Sequence, residues 1–207
     1  KVTCSELIEI CHNMCMRYQL QTTVADTGIV CAAYQEVPSN METGDLQSVW
    51  SAQGWGCTAA RSGSTVVMIA MKNVPTLDVT HISHEECGMP ESISERSATL
   101  ALFEAGRGPA TRETRKAGLK CVIVSYHGVR HTNEGDLKEL FEWMTSACKQ
   151  LGAPVCVMGD FNIKWGKCNQ ALNEWNSGSA EPPIQQVAYL PHRRITLSDT
   201  PHENVID

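Results

Sequence analysis

The feature that most constrains this 207-residue chain is a strand–helix–strand pattern between residues 119 and 158. Leu119-Lys120-Cys121-Val122-Ile123-Val124-Ser125-Tyr126-His127-Gly128 is an apolar, β-branched run, which predicts a buried strand. Residues 135–151 repeat apolar positions at three and four, through Leu137, Leu140, Phe141, Met144 and Cys148, which predicts an amphipathic helix. Gly152 and Pro154 end it. Val155-Cys156-Val157-Met158 is again apolar and predicts a second buried strand. A crossover of this kind lays its helix over the sheet.

The polar residues of this unit fall where the strands end. The first run ends at His127, and the second passes straight into Gly159-Asp160-Phe161-Asn162. At the carboxyl end of a buried strand, side chains leave the core and can converge on a ligand. In an extended chain Asp160 and Asn162 point the same way while Phe161 turns back into protein. A carboxylate and an amide on one face suit a metal-bound phosphate. Gly-Asp-x-Asn after a strand is also ordinary turn chemistry, and these four residues alone do not decide between the two readings.

The rest of the chain repeats the theme. Residues 5–20 predict a helix with Ser5 at its cap and a stripe of Leu7, Ile8, Cys11, Met14, Cys15 and Tyr18. Its Cys11, His12 and Cys15 are read as packed and solvated residues rather than ligands. Residues 28–38 predict a small-residue strand that ends in Gln35-Glu36 and is stopped by Pro38. Residues 44–72 hold two predicted strands, Trp55–Ala60 and Ser64–Met71, joined by a turn around residues 61–63 as a hairpin. Val79–Pro90 reads as irregular. It contains His81, His84 and Cys87, but no second pair of zinc ligands. Arg96–Glu104 predicts another strand. Arg107, Arg112, Arg115 and Lys116 form a basic cluster, most simply a solubilising hairpin tip, alternatively a contact for a phosphate backbone. Beyond Asn162 the chain reads as polar and loop-rich, with Trp165 and Trp175 as packing residues. Residues 193–197 predict a short strand, and Val205-Ile206-Asp207 starts like one.

Composition excludes some classes. Hydrophobic residues make up 42% and charged residues 19%, which argues for a packed domain and against disorder. No apolar run reaches membrane-spanning length. A net charge of −6 disfavours coating nucleic acid by charge alone, but not an enzyme that grips a phosphodiester through a metal and a few placed residues. None of the ten cysteines forms a C-x-x-C pair. Several lie in apolar runs, so reduced core thiols and an intracellular protein, nuclear or cytoplasmic, are expected, with disulfides left open by the even count.

Glu36, His127, Asp160 and Asn162 thus stand where predicted strands leave the core, as an acid, a base, a carboxylate and an amide. No P-loop and no Gly-x-Ser-x-Gly elbow is present. In this order the residues resemble the deoxyribonuclease-I-like, or endonuclease/exonuclease/phosphatase, superfamily. The matching pieces are Tyr34-Gln35-Glu36-Val37, Arg96 opening a strand, Ser125-Tyr126-His127-Gly128, Gly159-Asp160-Phe161-Asn162 and the terminal Val205-Ile206-Asp207. The similarity runs from about residue 5 to the end. It implies an α/β fold, a four-layer sandwich of two packed mixed β-sheets flanked by helices. A single domain over 1–207 is expected, truncated at both ends.

The resemblance also implies roles. Glu36, with Asp160 nearby, would hold Mg²⁺, with Mn²⁺ as a substitute. Asp160 would activate or orient the attacking water, and Asn162 would bind the scissile phosphate. His127 would act near the leaving group, Arg96 would contact phosphate, and Asp207 would orient a later histidine. The implied reaction is metal-dependent phosphodiester hydrolysis by in-line water attack, most specifically by an endonuclease. The expected substrate is nucleic acid, DNA in preference to RNA, with no membrane partner and no indication of oligomeric state. Two motifs depart from the pattern. The family's opening strand with an asparagine metal ligand is not seen, and Asn13 falls in a predicted helix. The closing Ser-Asp-His is missing too, since Ser198-Asp199-Thr200-Pro201-His202 precedes Asp207 instead of following it. These departures leave a second reading, a catalytically silent member of the fold that binds a partner.

Overall fold

The computed structural model describes residues 31–38, 43–52, 54–62, 65–106, 118–129, 132–178 and 184. The helix expected at 5–20, Asn13, the start of the strand expected at 28–38, the basic cluster 107–116, residues 193–202 and Asp207 lie outside these residues. Seven strands and four helices are described. In chain order they are β1 (Cys31–Pro38), α1 (Thr43–Ala52), β2 (Trp55–Ser62), β3 (Thr65–Lys72), β4 (Leu77–His81), α2 (Glu91–Ser94), β5 (Ser97–Glu104), β6 (Leu119–His127), α3 (Glu134–Leu151), β7 (Val155–Asp160) and α4 (Trp165–Gly178).

The strands form two sheets, in the orders β1-β3-β2 and β4-β5-β6-β7. The hairpin expected at 55–71 is β2 and β3, paired antiparallel from Trp55↔Lys72 to Ser62↔Thr65. The second sheet is mixed, with β4, β5 and β6 antiparallel and β6 and β7 parallel. The first is antiparallel throughout its described strands.

Period-two alternation explains how the sheets stack. On β3, Val67, Ile69 and Met71 face inward and pack with Ala98, Leu100, Leu102 and Ile123 of the second sheet. Its other face, Val66, Met68 and Ala70, packs with Trp50 of α1 and with Tyr34, Trp55 and Cys57. β3 is therefore buried on both sides, which is why its sequence is an unbroken apolar run. Where β2 meets β4 of the other sheet, a Cβ on Gly56 would stand 2.6 Å from a methyl of Val79, so a larger residue there would force a shift. On the outer face of the second sheet, Ala101, Phe103, Val122, Val124 and Tyr126 lie under Leu140, Trp143 and Ala147 of α3. The order of layers is helix, sheet, sheet, helix, as expected.

α3 is held at both ends. Asn133 accepts from Gly135 N at 2.7 Å and Asp136 N at 3.2 Å, while Asp136 accepts from Asn133 N at 2.8 Å, a reciprocal capping box. Gly152, at φ 66°, closes the other end through its N–H to the Cys148 carbonyl.

Four local readings are corrected. Val79–His81 is not irregular but the end of β4, paired with β5. Residues 43–52 form a helix that went unread. The chain after Asn162 is not mainly loop, because α4 packs Cys168, Leu172 and Trp175 against Leu137 and Phe141 of α3. Finally, β7 runs two residues past Met158, through Asp160 itself. The seven described cysteines are free thiols. Burial pushes the thiol of Cys57 up to about 12 and that of Cys87 up to about 11.

Candidate functional site

The parallel register of β6 and β7 sets His127 beside Asp160. Adjacent strands are about 4.8 Å apart, so the two side chains leave neighbouring strands at one level. On the other side of β6, the Arg96 carbonyl accepts the His127 N–H at 2.9 Å. Arg96, His127 and Asp160 therefore form a row across one end of the second sheet. The inter-sheet side of β6 carries Ile123, and two and four residues on, Ser125 and His127 share that face.

A folded strap delivers Arg96 to the row. Ser83 and Glu86 bond each other through side chain and backbone at 3.0–3.2 Å. His84 Nε2 lies 3.1 Å from the Ser97 carbonyl and must donate to it, since a carbonyl only accepts. Partial burial holds the His84 imidazole below its ordinary value, which the bond to Ser97 opposes. Trp143 of α3 donates its indole N–H to the Cys87 carbonyl at 3.1 Å, pinning the strap to the helix. Burial raises the phenol of Tyr126, with Asp136 adding to the shift and the Arg96 charge opposing it.

The loops after β6 and β7 lock together backbone to backbone. Gly128 N donates to the Asp160 carbonyl at 2.7 Å. A Cβ on Gly128 would lie 2.2 Å from the Phe161 carbonyl oxygen. Phe161 packs on Tyr126, ring centroids 5.7 Å apart, as the alternation at 160–162 predicts. Asn162 does not continue the extended chain. Its φ is 52°, and its N–H donates to Asp160 Oδ1 at 2.9 Å, so Gly-Asp-Phe-Asn is a turn, which folds Asn162 back towards Asp160. The Asn162 side-chain amide donates to the Gly128 carbonyl at 2.9 Å, a partner the sequence did not suggest. An amide NH₂ carries two hydrogens, so one donor is left for a ligand. Among the described residues, Asp160 Oδ2 has no bonded partner.

The first sheet reaches the row through β1. Gln35 Nε2 donates to Ser125 Oγ at 2.9 Å, across the space between the sheets. Glu36 follows it in the strand, and its side chain lies outside what the structure describes. In the sequence Gln35 is only the neighbour of Glu36, and Ser125 only a strand residue. Both mark the same end of the sandwich. The partner of Gln35 is 90 residues away, which no local pattern reveals.

No group of three His, Cys, Asp or Glu converges among the described residues, so the zinc reading at His81, His84 and Cys87 finds no support. The half-open Asp160 carboxylate suits another donor chemistry. A hard cation such as Mg²⁺ takes one or two carboxylates and fills its remaining positions with water and substrate oxygens.

No family model matches the chain, and no curated protein matches it. Among solved structures it is similar to the 3′ phosphatase NExo from Neisseria bound to a product DNA hairpin. The identity there is 18% and the TM-score 0.39, over 71% of this chain and 52% of that one. It is similar to the 3′-5′ exonuclease NExo from Neisseria meningitidis at 16% identity and a TM-score of 0.37, over 71% and 53% of the two chains. It is also similar to ANGEL2, a 2′,3′-cyclic phosphatase, in complex with adenosine-2′,3′-vanadate, at 16% identity and a TM-score of 0.40, over 74% and 44%. The chain spans about half the length of these structures.

Proposed function

We propose that the chain is a metal-dependent phosphodiester hydrolase, and specifically an endonuclease that cleaves nucleic acid, DNA in preference to RNA. The observation that carries this reading is the row Arg96–His127–Asp160, with Asn162 folded back onto it. A cation, a base, a carboxylate and an amide donor at one strand-end level match the needs of phosphoester hydrolysis.

Asp160, together with Glu36, would hold Mg²⁺ or Mn²⁺, which when bound would neutralise charge on the phosphate. Asp160 Oδ2 accepts the hydrogen of the attacking water and aims its oxygen, while Oδ1 stays fixed on the Asn162 N–H. The second amide hydrogen of Asn162 donates to a phosphate oxygen, and the Arg96 guanidinium neutralises a further one. The His127 imidazole donates a proton to the departing oxygen. Asp207 keeps its proposed role of orienting a further histidine. A protein of net charge −6 gains little from general attraction to nucleic acid, so this grip is local. An intracellular location is part of the proposal and rests on the cysteines that the sequence places in apolar runs.

The test offers three substrates to the 207-residue chain, with Mg²⁺ and with a chelator: supercoiled plasmid, single-stranded RNA and a phosphoinositide. Mg²⁺-dependent nicking of the plasmid is expected. Phosphate release from the phosphoinositide alone would replace the nuclease reading with a phosphatase one. Inertness towards all three would leave the silent binding module.

A further inference from the structure

The bond between Gln35 and Ser125 stands at a point where three strands meet. Gln35 immediately precedes Glu36 on β1, Ser125 lies two residues before His127 on β6, and Gly159 immediately precedes Asp160 on β7. The Gln35 amide nitrogen touches all of this. It donates to Ser125 Oγ at 2.9 Å, and it lies 2.9 Å from where a Cβ of Gly159 would stand. Ser125 is fully buried, so its hydroxyl depends on this partner. β1 is irregular here. Tyr34 pairs with Met68 but Val37 with Val66, so Gln35 and Glu36 together stand opposite Val67 as a bulge. Bulges re-aim the residues they contain and are common beside functional sites.

We propose that Gln35 is a positioning residue, whose amide clasps Ser125 against Gly159 and so fixes the strand bearing Glu36 relative to those bearing His127 and Asp160. The inference rests on the hydrolase reading above and deepens it. The sheets belong to separate hydrogen-bond ladders, and apolar packing alone fixes their spacing loosely at an open end. A directional bond sets the distance there. Small misplacements of reacting groups are costly, and groups that orient metal ligands typically matter ten- to a hundredfold in metal affinity.

The test uses Gln35→Met, which keeps the length and removes the donor, Ser125→Ala, which removes the acceptor, and the double variant. Plasmid nicking and Mn²⁺ binding by electron paramagnetic resonance are read on each, with hydrogen exchange of segments 34–37, 125–128 and 158–162. The expected result is a fall in kcat of about tenfold or more with KM held within about twofold, and Mn²⁺ affinity weakened by about tenfold. The double variant should be no worse than Gln35→Met, because both changes break one bond. Wild-type kcat and Mn²⁺ affinity in Gln35→Met, or losses that multiply in the double variant, would overturn the proposal. If the wild-type chain neither cuts nor binds Mn²⁺, the hydrolase reading fails on its own account. Hydrogen exchange then decides the clasp: faster exchange at all three segments in Gln35→Met supports it, and unchanged exchange refutes it.

Discussion

Replacing Gly159 with alanine should damage both stability and site, for two separable reasons. The first is conformational. Gly159 has φ 142°, a region that residues with a Cβ rarely adopt, and holding one there costs about 1–3 kcal/mol. The second is contact. The added methyl would stand 2.0 Å from the Tyr126 carbonyl oxygen. An ordinary carbon–oxygen contact is about 3.3 Å, so β6 and β7 must part by roughly an ångström. β6 is held between β5 and β7 by its ladders and cannot yield locally. Overpacking of this kind costs about 1–3 kcal/mol. Together the two effects predict a loss of about 2–6 kcal/mol, a large share of a typical total of about 5–15 kcal/mol. Urea unfolding of wild type and Gly159→Ala, followed by far-ultraviolet circular dichroism, measures it. The corresponding fall in Tm is about 2–4 °C per kcal/mol for a chain of this size. A variant within about 0.5 kcal/mol of wild type would refute the argument, since that is the range of neutral surface changes.

Two further predictions follow from the elements around the site. Asn133→Ala removes the acceptor for Gly135 N and Asp136 N at the start of α3, and should cost about 1 kcal/mol by thermal unfolding. His84 is held below its ordinary value mainly by burial, so the unfolded chain binds its proton more readily. Its contribution to stability is therefore complete above the unfolded value, near pH 6.5, and is lost as pH falls through the folded value. Urea midpoints between pH 7.5 and pH 5 should fall more in wild type than in His84→Gln, which keeps a donor but cannot titrate; equal falls would refute it.

The legible parts of this fold were those where one strong local pattern met no competitor. β3 is apolar on both faces, β5 is an alanine-, leucine- and phenylalanine-rich run, and α3 carries an unbroken stripe between a cap and a glycine, so each is legible. α4 went unread because Gly166 and several asparagines weaken its helix propensity, although Cys168, Ala171, Leu172 and Trp175 hold helical spacing. Its stability comes from packing on Leu137 and Phe141, which is tertiary. α1 was hidden in the same way by Gly44 and two serines. At the site, strand-end polarity located His127 and Asp160, and the register put them side by side. The side-chain bond of Asn162 and the clasp of Gln35 on Ser125 depend on the partners Gly128 and Ser125, which are 34 and 90 residues away.

Asp160→Asn tests the central claim most directly. The substitution is nearly isosteric, and the new side-chain oxygen can still accept the Asn162 N–H that Asp160 Oδ1 accepts at 2.9 Å, so the fold should survive. What is lost is the negative charge and the basic oxygen beside His127. The measurement is the rate of Mg²⁺-dependent nicking of supercoiled plasmid by wild type and by Asp160→Asn. The account predicts nicking by wild type and a loss of about a hundredfold or more in a variant with unchanged circular dichroism. Nicking by Asp160→Asn at the wild-type rate would contradict it.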